Sequence, residues 1–416
     1  MPRPAASRGS ATGRVLDLLR SRGTLSRVEL AERTGLTAAT ITNTMRPLLD
    51  AGLVREAGVD RQHDRGQPRR LLRLDPEAWY AVGIQVDRTT TTIVVLDFAG
   101  GRVASAALPG TAGRGPHATV RTLAEHTTAL LDRSLVPRGR VLGTGLVTHG
   151  PQDLERGMLL TAQPGPDWLE YPLADALAGD LGLPVLLEND ASAAAFGELW
   201  AGSPPTDTFG LVYMASGIGG GVVVDGEVYR GRASNAVEIG HVSLNGGRTP
   251  CVCGGSGCTQ AEAGPEAVVA RALEDRALAE RLGVAGTPDR TLADFHRIAR
   301  AWRTGDTAAA GLLEASAAWI GQAAVTLVNL FDLDTVILAG PAFTVAGPVY
   351  RDRIAAELER HALGRSLSRP RVLVSSNAGT AAAIGAALHV LRTLPVEAPP
   401  ALPATTESTL TLQGEP

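Results

Sequence analysis

The three cysteines of this chain fall within one short run, Cys251-Val252-Cys253-Gly254-Gly255-Ser256-Gly257-Cys258, and His241 lies ten positions ahead of the first. A C-x-C-x4-C run supplies three soft thiolate donors, and its glycines let the backbone wrap a single centre. With the His241 imidazole as fourth donor the set is closed and tetrahedral, the pattern of a structural zinc rather than a catalytic one. The competing reading, three buried thiols and a core histidine, is disfavoured because no other cysteine occurs in the chain. Such a metal would pin a loop directly behind Glu238 and His241, two polar groups that could face a ligand.

Two further segments could do chemistry. The apolar stretch Leu183-Pro184-Val185-Leu186-Leu187-Glu188 runs into Asn189-Asp190, followed by a helical segment from Ala191 to Trp200. A carboxylate at a strand end where a helix begins is a usual place for chemistry in an α/β fold. Capping the helix is an equally good use for Asp190. The loop Ser216-Gly217-Ile218-Gly219-Gly220 could cradle an anion, or could simply be a tight hairpin between strands.

These groups need a scaffold, and 416 residues exceed one ordinary core, so two or three domains are expected. All 39 basic residues are arginine. Net charge is −4 but uneven: residues 1–75 carry 14 arginines against 8 acidic residues, the remainder 25 against 35. A basic module on an acidic body points to nucleic acid contacting the module. The sequence shows no apolar run that reads as a membrane span and no signal-peptide core after Met1, and clustered cysteines fit metal ligation in a reducing compartment. The expectation is a cytoplasmic, nucleoid-associated protein with no membrane partner.

Residues 1–12 read as a disordered N-terminus and 13–76 as a winged helix-turn-helix. A first helix covers 13–21. Ser26 caps a second, with Glu29 completing a capping box, and Ala31, Gly35 and Ile41 supply the small residue, turn glycine and plug of a helix-turn-helix. Thr37 caps a third helix over 38–50, whose exposed face offers Thr37, Ala39, Thr40, Thr42, Asn43 and Arg46 to a major groove. Pro47 lies inside this helix and should kink it or move its boundary. Two strands around 60–67 form the wing, with Arg65, Arg69 and Arg70 directed at the DNA backbone or minor groove. A helical interaction domain with solvated arginines is the alternative.

From Trp79 the texture becomes α/β. Strands over 80–86 and 91–97, a third through Ala107, a helix over about 117–134 and a strand from Val141 to Val147 lead to the Asn189-Asp190 strand end. The opening then repeats at Phe209–Met214, through the glycine loop into Val222–Asp225. Two such halves suggest a duplicated lobe with a cleft between. Helices at about 308–331 and 345–362 and strands at 335–339 and 371–375 fill the second half, a helix over 378–392 returns to the first, and 395–416 reads as a disordered tail.

A winged helix-turn-helix followed by two lobes, with Glu238-Ile239-Gly240-His241 ahead of Cys251-Val252-Cys253-Gly254-Gly255-Ser256-Gly257-Cys258, resembles the ROK family (repressors, open reading frames and kinases). The resemblance covers 13–392. It implies an actin-like, sugar-kinase fold of two ribonuclease-H-like lobes within 79–394: lobe one at about 79–200 plus 378–392, lobe two at about 201–377, with the zinc loop at 238–262. It also implies that Asn189, Asp190, Glu238 and His241 contact sugar, His241 meeting sugar through one ring nitrogen and zinc through the other, and that Asp190 occupies the position of the kinase general base. Family members with the DNA-binding module are transcriptional regulators of carbohydrate genes, usually repressors and generally dimeric or tetrameric.

Departures from the family pattern bear on enzyme against sensor. The kinase phosphate hairpin Asp-x-Gly-x-Thr here reads Gln85-Val86-Asp87-Arg88-Thr89. Gln85 lacks the charge that helps hold magnesium, and Asp87 sets a carboxylate where triphosphate oxygens would approach. Ala339-Gly340-Pro341 lacks the paired glycines of the nucleotide site. At the position of a sugar-binding Glu stands Gln260, an amide that still donates and accepts, and Val237 is expected to crowd the sugar pocket. The expectation is a repressor binding a double-stranded operator as a homodimer or tetramer, with one structural zinc per chain, a sugar or sugar-phosphate effector, and no ATP site. The alternatives are an ATP-dependent sugar kinase that also binds DNA, and a regulator that has lost sugar sensing.

Overall fold

The computed structural model describes residues 10–60, 69–201, 204, 206–244 and 246–393. The expected wing tip with Arg65 and the tail over 395–416 lie outside the described residues. The N-terminal module comprises α1 (Ala11–Arg22), β1 (Leu25–Ser26), α2 (Arg27–Thr34), α3 (Ala38–Asp50), β2 (Val54–Asp60) and β3 (Arg69–Leu74). The first helix opens inside the segment expected to be disordered, because the Ser10 hydroxyl accepts the Gly13 N–H at 3.0 Å and supplies an N-cap. The capping box forms as the sequence indicates: Glu29 accepts the Ser26 N–H at 2.8 Å and the Ser26 hydroxyl accepts the Glu29 N–H at 3.3 Å. Gly35 closes α2 at φ 68°, a left-handed conformation open to a residue without a side chain. α3 continues through Pro47 to Asp50. Pro47 stands in the last turn, where its missing N–H costs the helix a single bond, to the Asn43 carbonyl. The order β1-β3-β2 makes a three-stranded wing sheet; β1 is too short to announce itself in the sequence.

The first lobe comprises β4 (Tyr80–Val86), β5 (Thr90–Asp97), β6 (Arg102–Pro109), α4 (Pro116–Arg133), β7 (Val141–Thr148), the short hairpin β8 (Gln152–Asp153) and β9 (Met158–Leu159), α5 (Leu173–Leu181), β10 (Val185–Asn189) and α6 (Asp190–Ala201). The second comprises β11 (Phe209–Met214), β12 (Ile218–Val224), β13 (Glu227–Val228), four helices α7 (Thr259–Ala263), α8 (Pro265–Glu274), α9 (Arg276–Leu282) and α10 (Thr291–Arg303), then α11 (Thr307–Phe331), β14 (Thr335–Ala339), α12 (Phe343–His361) and β15 (Arg371–Val374). The last helix, α13 (Ala381–Thr393), packs back on β4 and β7.

The repeat seen in the sequence is a repeat of topology. The first sheet runs β6-β5-β4-β7-β10 and the second β13-β12-β11-β14-β15. In both, the first three strands in chain order pair antiparallel and the last two join in parallel. Central strands are buried on both faces, which is why β4, β5 and β11 read as nearly unbroken apolar runs. Contrary to the sequence reading, one segment is long and apolar enough to span a bilayer: α11, with 25 residues. Its apolar faces are spent elsewhere. Leu313, Ala317, Ile320 and Ala324 are buried in the core of the second lobe against α12.

The N-terminal module and the first lobe share one apolar core. Val15, Leu19, Met45 and Leu72 cluster with Leu96, Phe98, Phe196, Ile384, Leu388 and Leu391. Two arginines rivet the seam. Arg20 donates to the Phe98 carbonyl at 3.3 Å and lies over the Phe98 ring, while Arg392 donates to Asp17 at 3.0 Å and lies over the Trp200 ring at 4.9 Å.

Candidate functional site: a polar cleft backed by a cysteine–histidine cluster

The metal-ligand candidates converge. The ligand atoms of His241, Cys251, Cys253 and Cys258 all lie within 4.8 Å of one another. Cys251 Sγ is 3.6 Å from His241 Nδ1, and Cys253 Sγ is 3.6 Å from Cys258 Sγ. A tetrahedron with metal–sulfur bonds of about 2.3 Å has sulfur–sulfur edges of about 3.8 Å, so the donor set suits a zinc ion in type, number and span. The knuckle depends on Gly257, at φ 69°: a Cβ there would sit 2.1 Å from the Gly247 carbonyl oxygen. Behind the knuckle the Glu262 carboxylate accepts the Thr249 N–H at 2.9 Å and fixes the approach to Cys251.

Because His241 turns Nδ1 towards Cys251, its other ring nitrogen is left for the cleft that it lines. That cleft, of about 300 Å³, opens between the lobes at the carboxyl ends of the parallel strands. Asp87 follows β4, His149 follows β7, Asp190 follows β10 and Ser216 follows β11; all four line it, together with Asn189, Glu238 and Gln260. Asn189 and Glu238 come from opposite lobes and meet over Gly150: a Cβ on that glycine would lie 3.4 Å from Asn189 Nδ2 and 3.6 Å from Glu238 Oε1. Asn189 Oδ1 accepts the Ser192 N–H at 3.0 Å, capping the first turn of α6 and leaving its amide nitrogen for the cleft. Asp190 accepts the Ala191 N–H at 2.8 Å, so it also serves its helix. Burial, reinforced by the Asp87 and Glu238 charges against that one N–H, pushes the Asp190 carboxyl up to about 7. Burial raises the Glu238 carboxyl as well. The Gln260 carbonyl oxygen is already used, accepting the Ile218 N–H at 3.0 Å.

The β4–β5 turn and the glycine loop of β11 and β12 meet across the cleft through Asp87. One of its oxygens accepts the Thr89 N–H at 2.9 Å and the Thr89 hydroxyl at 2.7 Å, an ordinary turn. Its other oxygen crosses to the second lobe, accepting the Ser216 hydroxyl and, at 3.3 Å, the Ser216 N–H. Beside it Arg88 pairs with Glu266 of the second lobe at 3.0 Å. At the opposite wall, Asn235 accepts the Gln152 N–H at 2.9 Å and donates to the Gln152 carbonyl at 3.0 Å, and Arg230 pairs with Glu188.

One expectation fails. Val237 does not line the cleft; its side chain packs against the second lobe's core and its carbonyl lies over Gly220. The substitution is felt in the backbone, since Val237 sits at φ 65°, a conformation that costs a β-branched residue of order 1–3 kcal/mol. Two cleft groups, His149 and Tyr213, escaped the sequence reading; His149 Nε2 and the Tyr213 hydroxyl are both buried, the latter beside the Gln85 amide. Burial keeps the His149 imidazole below its ordinary value, hence neutral at pH 7. Position after a parallel strand was the available signal for His149; nothing local marks Tyr213.

On the N-terminal module Thr37, Thr42, Asn43 and Arg46 are exposed along one face of α3, with Thr40 half-buried beside them. Three hydroxyls are already engaged: Thr37 accepts the Thr40 N–H at 3.2 Å, the Thr37 and Thr40 hydroxyls share a hydrogen bond of 2.8 Å, and Thr42 donates to the Ala38 carbonyl at 2.9 Å. Arg69 is half-buried on β3, and the exposed Arg70 is held in a fork by Glu56 at 2.7 and 2.9 Å.

Residues 11–57 match a helix-turn-helix domain and residues 81–393 match the ROK family. The xylose repressor of Caldicellulosiruptor bescii is 26% identical over 383 residues, 88% of this chain and 92% of that one. A crystal structure of a ROK family transcriptional regulator, described as a homolog of the Escherichia coli Mlc protein, superposes with a TM-score of 0.70 at 23% identity, covering 92% of this chain and 96% of the other. A ROK glucokinase from Streptomyces griseus, solved with glucose and AMPPNP, superposes with a TM-score of 0.61 at 27% identity, over 74% of this chain and 98% of the kinase. With the duplicated lobes, the cleft between them and the Cys–His knuckle behind it, these matches establish that the chain belongs to the ROK family and carries an N-terminal helix-turn-helix domain.

Proposed function

We propose that this protein is a sequence-specific DNA-binding transcriptional regulator, a repressor released by a sugar bound between its lobes, and that it has no kinase activity. The observation that carries the reading is the state of the two hairpins. Asn189, Asp190, Glu238 and His241, the residues assigned to the sugar, come from both lobes to line one cleft, which supports the sensing half. On the nucleotide side the Asp87 carboxylate already occupies the Ser216 donors that would receive a phosphate, and Gln85 replaces a magnesium-organising charge. A family member named for xylose repression and the match of the N-terminal module to a helix-turn-helix support the regulatory half.

In this reading Asp190 accepts hydrogen bonds from sugar hydroxyls rather than acting as a base, and His241 orients a hydroxyl through the nitrogen turned away from Cys251. A zinc held by His241, Cys251, Cys253 and Cys258 supplies a rigid anchor for that imidazole and no reaction chemistry. On DNA, α3 enters the major groove with Asn43 and Arg46 foremost, and Arg69 and Arg70 meet the backbone; Arg65, outside the described residues, is assigned the same role from sequence. Two copies would read a pseudo-palindromic operator. Footprinting of the adjacent promoter region with a panel of sugars, beside a coupled ATP-hydrolysis assay with the same panel, tests both halves. Protection relieved by one sugar, without turnover, is the expected result. Turnover that Asp190→Asn abolishes overturns the non-enzymatic reading.

A further inference from the structure

Asp87 does more in this fold than spoil a nucleotide site. It is the fully buried partner of the second glycine hairpin, with one oxygen on its own turn and the other on Ser216 of the opposite lobe. A carboxylate held by a hydroxyl and a backbone N–H at the mouth of a glycine loop occupies an anion site. The chain supplies its own anion.

The surrounding charges sharpen the consequence. Asp190, Glu238 and Glu266 line the same cleft; Arg88, which lines it, is already paired with Glu266 at 3.0 Å, and Arg230 at the far wall is paired with Glu188. The two imidazoles offer no free cation: His149 is kept neutral by burial, and His241 turns Nδ1 to the cysteines. The cleft's other polar groups, His149 and the Tyr213 hydroxyl, are neutral and suited to hydroxyls.

We infer that Asp87 is a resident substitute for phosphate that latches the lobes together across the cleft and restricts the effector to unphosphorylated sugars. A phosphate ester brought into this cleft meets the Asp87 carboxylate, finds the Ser216 donors already occupied by it, and finds Arg88 already paired with Glu266. The inference rests on the sugar-sensing reading above and narrows its ligand class. The expected discrimination between a free sugar and its phosphate ester is at least about 100-fold in affinity, from charges within several ångströms in a partly desolvated site.

The test has two arms on the full chain. In the first, calorimetric titration compares free pentoses and hexoses with their phosphate esters. A free sugar that binds at least about 100-fold tighter than its ester supports the inference, and an ester that binds as well as or better than its parent sugar overturns it. The second arm needs no sugar. Phosphorus NMR follows inorganic phosphate and pyrophosphate added to the parent, to Asp87→Gly and to Asp87→Asn, the last keeping the turn while removing the charge. The parent is expected to bind neither ion, Asp87→Gly to bind pyrophosphate saturably, and Asp87→Asn to fall between. If the folded variants bind these anions no better than the parent, Asp87 is not an occupant of an anion site and the inference fails. If no sugar binds but the second arm succeeds, the sensing reading fails while the resident-anion assignment stands.

Discussion

Replacing Asp190 by asparagine should stabilise the free protein, and by an amount that depends on pH. The carboxyl is 9% exposed, accepts one backbone N–H and faces Asp87 and Glu238 across the cleft. Burial is the largest cause of its displacement from 3.8 to about 7, which corresponds to about 4 kcal/mol at 1.36 kcal/mol for each pH unit. The folded chain retains a proton between pH 4 and 7 that the unfolded chain has released, so stability contributed at this position declines as pH rises through that window. Above pH 7 both states are ionised and the whole cost persists. Asparagine, nearly isosteric, carries no such cost. Its advantage should therefore be about 4 kcal/mol at pH 8 and about 2 kcal/mol at pH 5.5, where part of the window remains uncrossed. Urea unfolding of both proteins at the two pH values measures the difference of differences, in which titrations common to both, including that of Glu238, cancel. An advantage of the same size at both pH values, or none at pH 8, would refute the assignment of a buried, protonated carboxyl to this site.

Metal analysis of the purified chain should return one zinc per molecule, and Cys253→Ser should lose it with a fall in Tm of roughly 5 °C, as for the loss of a few kcal/mol from a domain of this size; a parent protein without zinc refutes the ligand set. Arg46→Ala should weaken binding to every DNA sequence and lower the salt dependence by about one released ion, whereas Asn43→Ala should cost about 1–3 kcal/mol on the operator alone. Gel-shift titrations at two salt concentrations separate the two behaviours. Glu56→Gln should free Arg70 for phosphate; because both side chains of that pair are exposed and solvent-screened, the gain in DNA affinity should be small, no more than about fivefold at low salt. Unchanged affinity would place Arg70 away from the DNA.

Much of this architecture was legible because its signals are local. The Ser26–Glu29 box, Gly35 between α2 and α3, the Asn189-Asp190 strand end and the glycine hairpin of β11 and β12 each carry their structural reason within a few residues. The duplicated strand order followed from two similar openings. What escaped was non-local or weak. β1 is recognisable only through its pairing with β3. The helices α7 and α9 are too short to show a period, although α10 carries a plain apolar face through Leu292, Phe295, Ile298 and Ala299 that the sequence reading omits, and Pro47 is tolerated in α3 because it falls in the last turn. Asp87 could be read as an insult to a phosphate site, but its bond to Ser216 joins segments far apart in the chain. The strain at Val237 is likewise invisible without φ. Arg70 illustrates the reverse limit: its type suggested DNA, and only the fold shows that Glu56 already holds it.

The seam riveted by Arg20 and Arg392 ties the helix-turn-helix domain firmly to the lobe that borders the cleft. A reader on a loose tether could settle onto half-sites at many separations. Here the reach of one α3 to another, in any assembly of two chains, is dictated by how the bodies dock, so operator spacing becomes a property of the docked bodies. Loosening the seam with Arg392→Ala would let that spacing rule slip while the sequence preference of each half-site stayed the same.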